Sequence, residues 1–382
     1  MNRIPCRFLL GALAATCLAA SAWADPPVAS HDDSFTRDGL FKADVSTLTD
    51  TQLVAHPDLP LVADKNLLWC GTLQLAWNKA IGLVGEKLKF ANQPPEVDLL
   101  NREDFTDADL ASDSYVAMAD FERNNVEDEI RAALEKTFHG AASPELIPDK
   151  PLHPGPDDFL AYAYLYKNLA FADPFADNDP IVFGTTKVAS FGFTKELYRI
   201  PDAVFDQVSI YDYKSENDFI IKLKTKSPDD ELILAKIAPG PTLQETISRT
   251  LQRISQSKAA FVNRETDQLA VPKLNFDLRG DFPELEGLLL EPSPSAHVKN
   301  LMTTEVKQLI RFQLNEKGAV LKSEAAIAVG AAAIELPPKR HLMIFDRPFL
   351  ILMKQAKSDR PYFALWIGNA SLLVPAQPID QP

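Results

Sequence analysis

Phe312-Gln-Leu-Asn-Glu-Lys-Gly318 opens the stretch of sequence that decides the fold. It continues through Ser323-Glu-Ala-Ala-Ile-Ala-Val-Gly-Ala-Ala-Ala333, then Ile344-Phe-Asp-Arg-Pro-Phe-Leu-Ile-Leu352, and closes with Phe363-Ala-Leu-Trp-Ile-Gly-Asn369. Asn315 at the start of a turn and Gly318 at its end suit a tight hairpin. After the turn, Ala319, Leu321, Ser323, Ala325, Ile327 and Val329 fall on one face, with Lys322 and Glu324 on the other. That alternation is an amphipathic strand. The spacing therefore predicts that 319–329 pairs with 310–314. The segment around Ala328 to Ala333 is small and apolar, as an exposed, protease-accessible loop would also be.

Taken in order, these segments resemble the C-terminal part of serpins, the suicide inhibitors of proteases. In that family an acidic-x-Gly hinge follows a long strand, a small-residue bait loop comes next, and two strands close the fold. The resemblance assigns the hinge to Glu316, Gly318, Ala319, Val320 and Leu321, and the closing motif to Phe345, Pro348, Phe349 and Gly368. Counting from Glu316 puts the scissile bond at Ala332 and Ala333, which suits an elastase-like protease with a small pocket. The span from there to Pro348 is longer than in many serpins, so Leu336 stays open as the alternative. Upstream, Ala161-Tyr-Ala-Tyr-Leu-Tyr-Lys-Asn, Asp230-Glu-Leu-Ile-Leu-Ala-Lys-Ile-Ala-Pro239 and Val271-Pro-Lys-Leu-Asn-Phe-Asp-Leu278 resemble further serpin strands. Cys70 and Gly71 stand where the family has Ser-Pro at the head of a buried helix, a departure from the polar cluster that helps serpin sheets open.

Residues 1–24 read as a secretory signal. Arg3 and Arg7 supply the positive end, Phe8 to Ala20 is apolar, and Ala22-Trp23-Ala24 is a small-x-small cleavage site. The implied location is periplasmic or extracellular, as for a divergent, exported, bacterial member of the family, with no membrane association once the signal is removed. Losing Arg3 and Arg7 takes the formal charge from −14 to −16, which repels phosphate backbones and argues against nucleic acid as a partner. Cys70 alone survives cleavage, among Leu67, Leu68, Trp69 and Leu73, and reads as a buried inert thiol.

Residues 25–65 are polar and aperiodic, and read as a loosely attached arm preceding a serpin-like domain over 66–378. Leu73, Trp77 and Ile81 repeat at helical spacing, as do Val126, Ile130, Leu134 and Phe138, which stop at Gly140. The prolines between 144 and 156 mark an extended connector. Phe219 to Lys226 alternates from Ile221 onward, as a half-buried strand should. Thr242 and Glu245 offer a capping box for a helix striped by Leu243, Ile247, Leu251 and Ile254. Helices first and strands later, without regular alternation, predict an α+β fold of mixed, mostly antiparallel sheets packed with helices.

No catalytic motif is present, and the six histidines have no metal-ligand spacing, so the reading is of a non-enzyme without metal or cofactor. The resemblance implies inhibition of a serine or cysteine protease through a reactive loop at 319–337. The degenerate hinge, with Leu321, Lys322 and Glu324 where the family has Thr-Glu and alanines, gives the rival: a non-inhibitory binding or structural protein with the loop strand already inserted. The signal itself is checked by mass spectrometry of the exported protein: the expected mature N-terminus is Asp25, and an intact Met1 would refute it.

Overall fold

The computed structural model describes residues 40–140, 142, 144–147, 155, 157–292, 301–320 and 340–376. In chain order these begin with β1 (Phe41–Asp44), β2 (Thr51–Leu53), β3 (Asn66–Cys70), α1 (Thr72–Val84), α2 (Pro95–Leu100), β4 (Tyr115–Phe121) and α3 (Val126–Phe138). There follow β5 (Phe159–Leu165), β6 (Leu169–Ala170), β7 (Ala176–Phe183), β8 (Thr186–Phe193), α4 (Asp202–Phe205), β9 (Val208–Ser215), β10 (Asp218–Leu223) and β11 (Asp230–Lys236). The remainder is α5 (Leu243–Ser255), β12 (Ala260–Phe261), β13 (Gln268–Pro272), β14 (Leu274–Asp281), β15 (Lys307–Asn315), β16 (Gly318–Val320), β17 (Leu342–Ile344), β18 (Phe349–Gln355) and β19 (Pro361–Ile367).

The strands form a large sheet, β12-β9-β10-β11-β18-β19-β3-β2, a front sheet, β1-β14-β15-β16-β6, a small sheet, β17-β13-β8-β7, and a β4–β5 ribbon. Pairing is antiparallel except for β1 with β14, β2 with β3 and β13 with β17. The fold is α+β with mixed, mostly antiparallel sheets, as the sequence predicts. The closing strands, the strand ending before Pro239 and the helix after it occur in the order that the serpin resemblance implies.

The helices follow their patterns. Val126, Ile130, Leu134 and Phe138 are all buried along α3, packed on Val116 and Tyr162 of the ribbon. On α1, Leu73 and Trp77 are buried. Thr242 caps α5 by accepting the Glu245 N–H at 3.1 Å, but Glu245 turns its own carboxylate to Arg249, so only half of the capping box forms. Helix formation here rests on one buried stripe, which local periodicity reports directly.

Two expectations are corrected. Residues 40–65 are not a loose arm. β1 and β2 add parallel strands to two sheets, Ala55 and His56 are buried, and Pro60 bridges to Thr242 at the head of α5. The partner of β1, β14, lies far away in sequence, so no local periodicity reveals the pairing. The strand at 219–226 ends at Leu223, and Phe219, Ile220 and Ile221 are all fully buried. From Ile221 onward the expected alternation holds, with Ile221, Leu223 and Thr225 buried and Lys222 and Lys224 on the more exposed side.

β18 and β19 are buried at every position. Phe349 packs at 5.0 Å from Phe345, and Phe345 at 5.0 Å from Phe219. Phe345 and Pro348 lie in the link between β17 and β18 rather than in strands; Phe345 is fully buried and Pro348 half-buried. Truncating Phe349→Ala should cost about 3–5 kcal/mol, the usual penalty for emptying a closed aromatic site. Denaturant unfolding would measure it, and a loss within about 0.5 kcal/mol, as at a surface position, would contradict the packing.

Candidate functional site

The sequence places the hinge at Glu316 to Leu321, and the structure shows how its described part is held. β15 runs to Asn315, the chain turns at Glu316 and Lys317, and β16 returns with Asn315 opposite Gly318 and Leu314 opposite Ala319. The Asn315 side chain accepts the Lys317 N–H at 2.9 Å, closing the turn locally. The turn carbonyls are held from outside: Phe171 N–H donates to Lys317 O and Phe175 N–H to Glu316 O, each at 2.8 Å. Both donors belong to an aromatic cluster in which Phe171 and Phe175 meet edge to face at 4.9 Å, against Phe191. The hinge turn is thus fixed to a packed part of the core.

β16 is paired on both sides. Beyond β15 it meets β6, with Gly318 opposite Ala170 and Ala319 opposite Leu169. Gly318 has a φ of +144°, and a Cβ there would lie 2.6 Å from Leu169 O and from Ala170 Cα. Only glycine fits that wedge. Ala319 is completely buried. The predicted pairing of the hinge with the preceding strand is present for Gly318–Val320, opposite Gln313–Asn315 rather than 310–314. Leu321, the rest of the predicted strand, and the candidate bonds at Ala332, Ala333 and Leu336 lie outside the described residues.

Glu316 is the charged element of the hinge. Its carboxylate meets Lys273 Nζ at 2.6 Å, with both side chains about four-fifths buried. Lys273 also contacts Asp177 on β7. Burial works against the ammonium, but the hydrogen bonds it donates to Asp177 and Glu316 outweigh that and raise its pKa. Sequence analysis placed Lys273 only in a strand resemblance. Its role was not legible because Glu316 is far away in the chain and nothing local marks the pair.

The polar cluster at the head of α1 is rebuilt with other residues. Gln308 on β15 donates to Thr72 Oγ1 at 2.7 Å and to Cys70 O at 3.1 Å. Burial pushes the Cys70 thiol up, in keeping with an inert side chain. In the closing motif, Gly368 N–H donates to Asn66 Oδ1 at 2.9 Å, and a Cβ there would lie 2.4 Å from Lys65 O. Gly368 and Pro348 also line a cleft of about 600 Å³ with Arg347 and the turn at Gly184 to Thr186.

One histidine grouping appears that spacing did not suggest: His56, Asp58 and Asp104. His56 Nδ1 accepts the Asp58 N–H at 3.2 Å, which assigns the imidazole proton to Nε2, facing Asp104 at 3.6 Å. Arg102 engages Asp58 at 2.7 Å. In that tautomer neither ring nitrogen keeps a lone pair for a metal, so the group reads as a charge-and-hydrogen-bond cluster holding residues 55–58. What the hinge region offers chemically is strand pairing and a charged clamp.

No family model matches the chain, and no curated protein matches it. Among solved structures it is similar to thyroxine-binding globulin in complex with thyroxine, with a TM-score of 0.44 and 14% identity over 80% of this chain and 93% of that one. A second structure, of the human globulin, gives a TM-score of 0.43 and 13% identity over 80% and 92% of the two chains.

Replacing Lys273 with Ala leaves Glu316 without its partner and should destabilise the fold by about 1–3 kcal/mol, the cost of a stranded, largely buried polar group. Gly318→Val should cost at least as much, since it meets backbone on the β6 side. Urea melts of both variants test this; a neutral Gly318→Val would mean that β16 is not wedged.

Proposed function

We propose that this chain is a serpin-like, non-enzymatic binding or structural protein that does not work as a metastable protease inhibitor. One observation carries the reading: Gly318–Val320 is already paired between β15 and β6 in the uncut chain. Inhibition of the serpin kind requires the bait loop to stay out of the sheet until it is cut, and then to enter fast. Here the first residues of the hinge are inside, and the next ones, Leu321 and Lys322, are bulky where the family uses small residues. Each must be desolvated and threaded, which slows entry. Export through the signal at 1–24, which lies outside the described residues, belongs to the same reading.

A second reading is favoured by a different observation. β5 and β15 fall in separate sheets, and among the described residues the lengths 159–165 and 307–312 each have one edge without a strand partner. Such edges can accept a strand. On this reading the protein inhibits a serine or cysteine protease through the loop at 319–337.

One experiment separates them. The protein is incubated with elastase-, trypsin- and subtilisin-like proteases, and products are run on a denaturing gel and then melted. The first reading expects clipping or resistance, no covalent adduct, and a melting temperature that is unchanged or lower after nicking. An SDS-resistant adduct, or a steep rise in melting temperature on nicking, would overturn it in favour of the inhibitor.

A further inference from the structure

Three segments meet where β18 begins and β19 ends: the β7–β8 turn, the β17–β18 link and the chain after Ile367. Between them lies the cleft of about 600 Å³. Its walls are fixed from behind. Asn369 donates to Asp50 O at 3.0 Å and to Asp64 O at 2.9 Å, and its Oδ1 accepts from Asn66 Nδ2 at 3.0 Å. The Gly184-Thr185 turn uses a glycine at φ +60°, where a Cβ would meet nothing within 4 Å, so the rim there is uncrowded. The cleft is therefore formed before anything enters it.

The β17–β18 link brings one acid and one base to the cleft, Asp346 and Arg347. Asp346 is already committed. It accepts from Lys236 Nζ at 2.6 Å, and that buried ammonium also donates to Ile344 O at 2.8 Å and Glu216 O at 2.9 Å. Burial holds the ammonium below its usual range and Arg347 adds to the effect, while Asp346 and Glu216 oppose it. Glu216 acts from the β9–β10 turn and does not line the cleft. Arg347 is exposed, and no described carboxylate engages it. It is the charge that the cleft has to offer. Thr185 and Thr186 add exposed hydroxyls at the rim. Val182, half exposed, and Pro348 and Ala370 add apolar surface.

We propose that this cleft binds a small organic carboxylate with a short hydrocarbon body, the carboxylate on Arg347 and the hydrocarbon against Val182, Pro348 and Ala370. A guanidinium presents paired donors that match a carboxylate. A multiply charged anion would find a single cation here, on a chain of formal charge −14. A cationic ligand would find Asp346 already bonded. The volume falls in the usual range for small-molecule sites, about 300–1,000 Å³, and apolar walls with a few polar groups are their usual make-up. The inference rests on the binding reading above and gives it a ligand class. No hinge residue takes part, so the protease gel and the titration below fail separately.

The test is calorimetric titration of the full-length protein with hexanoate, hexan-1-ol, hexylammonium and acetate. Hexanoate is expected to bind with a dissociation constant of about 1 mM or below. The alcohol and the ammonium lack the charge that Arg347 recognises, and acetate lacks the hydrocarbon, so each should bind about tenfold more weakly or worse. Arg347→Gln should reduce hexanoate to the affinity of the alcohol. Val182→Asp, which sets a like charge on the wall, should weaken it about tenfold. Both positions are exposed, so both variants should melt with the parent. Lys187→Gln removes an exposed cation beside the turn but outside the cleft, and should leave affinity unchanged. Asp380→Asn, an acid beyond the last described residue, should also leave it unchanged. The proposal is overturned if hexanoate does not bind, if the alcohol binds equally well, or if Arg347→Gln and Val182→Asp keep the parent affinity. An equal loss in Lys187→Gln would make the attraction general rather than local and overturns it too. So does a tenfold gain in Asp380→Asn, which would make the chain's own tail the occupant.

Discussion

Burial of the closing hairpin on both faces is the constraint on which the rest depends. β18 and β19 sit inside the large sheet, flanked by β11 on one side and β3 on the other. Their neighbours come from the N-terminal part and the middle of the chain, so the hairpin joins segments that local folding cannot bring together. Aromatic rings at Phe345, Phe349 and Phe363 carry that junction outward, through Phe219 to β10 and through Phe312 to β15. Because interiors are close-packed, an error at this hairpin reaches the small and front sheets at once.

The front sheet is built on a different principle. Its top is closed by a hydrogen-bonded tight turn, a glycine that backbone crowds on the β6 side, and a lysine between two carboxylates. Below it, the described sheet is the backbone ladder of β1, β14 and β15, while β5 pairs with β4 in a separate ribbon. Whatever the loop after Val320 does, it starts from an anchored point.

Much of this was readable in residues. The helices at 72–84 and 126–138 announce themselves because a single buried stripe repeats at helical spacing. The hinge turn was legible because Asn315 and Gly318 are residues that tight turns need, and the closing strands because long apolar runs next to Pro and Gly have few other fates. The strand over 41–44, the clamp from Lys273, the hydrogen bond of Gln308 to Thr72, and the Glu145–Arg311 pair were not readable. Each joins residues far apart in the chain, and each uses residue types that are ordinary on a surface.

The sequence by itself determined the class of fold, the positions of most elements, and the turn at the hinge. Those properties are local: periodicity, turn chemistry and apolar runs act within a few residues. Only the tertiary structure decided that the arm from residue 40 belongs to the core, that β16 is wedged between β15 and β6, and that β4 and β5 form a ribbon of their own. These depend on which distant strand edges find each other, and that is settled by packing of the whole chain.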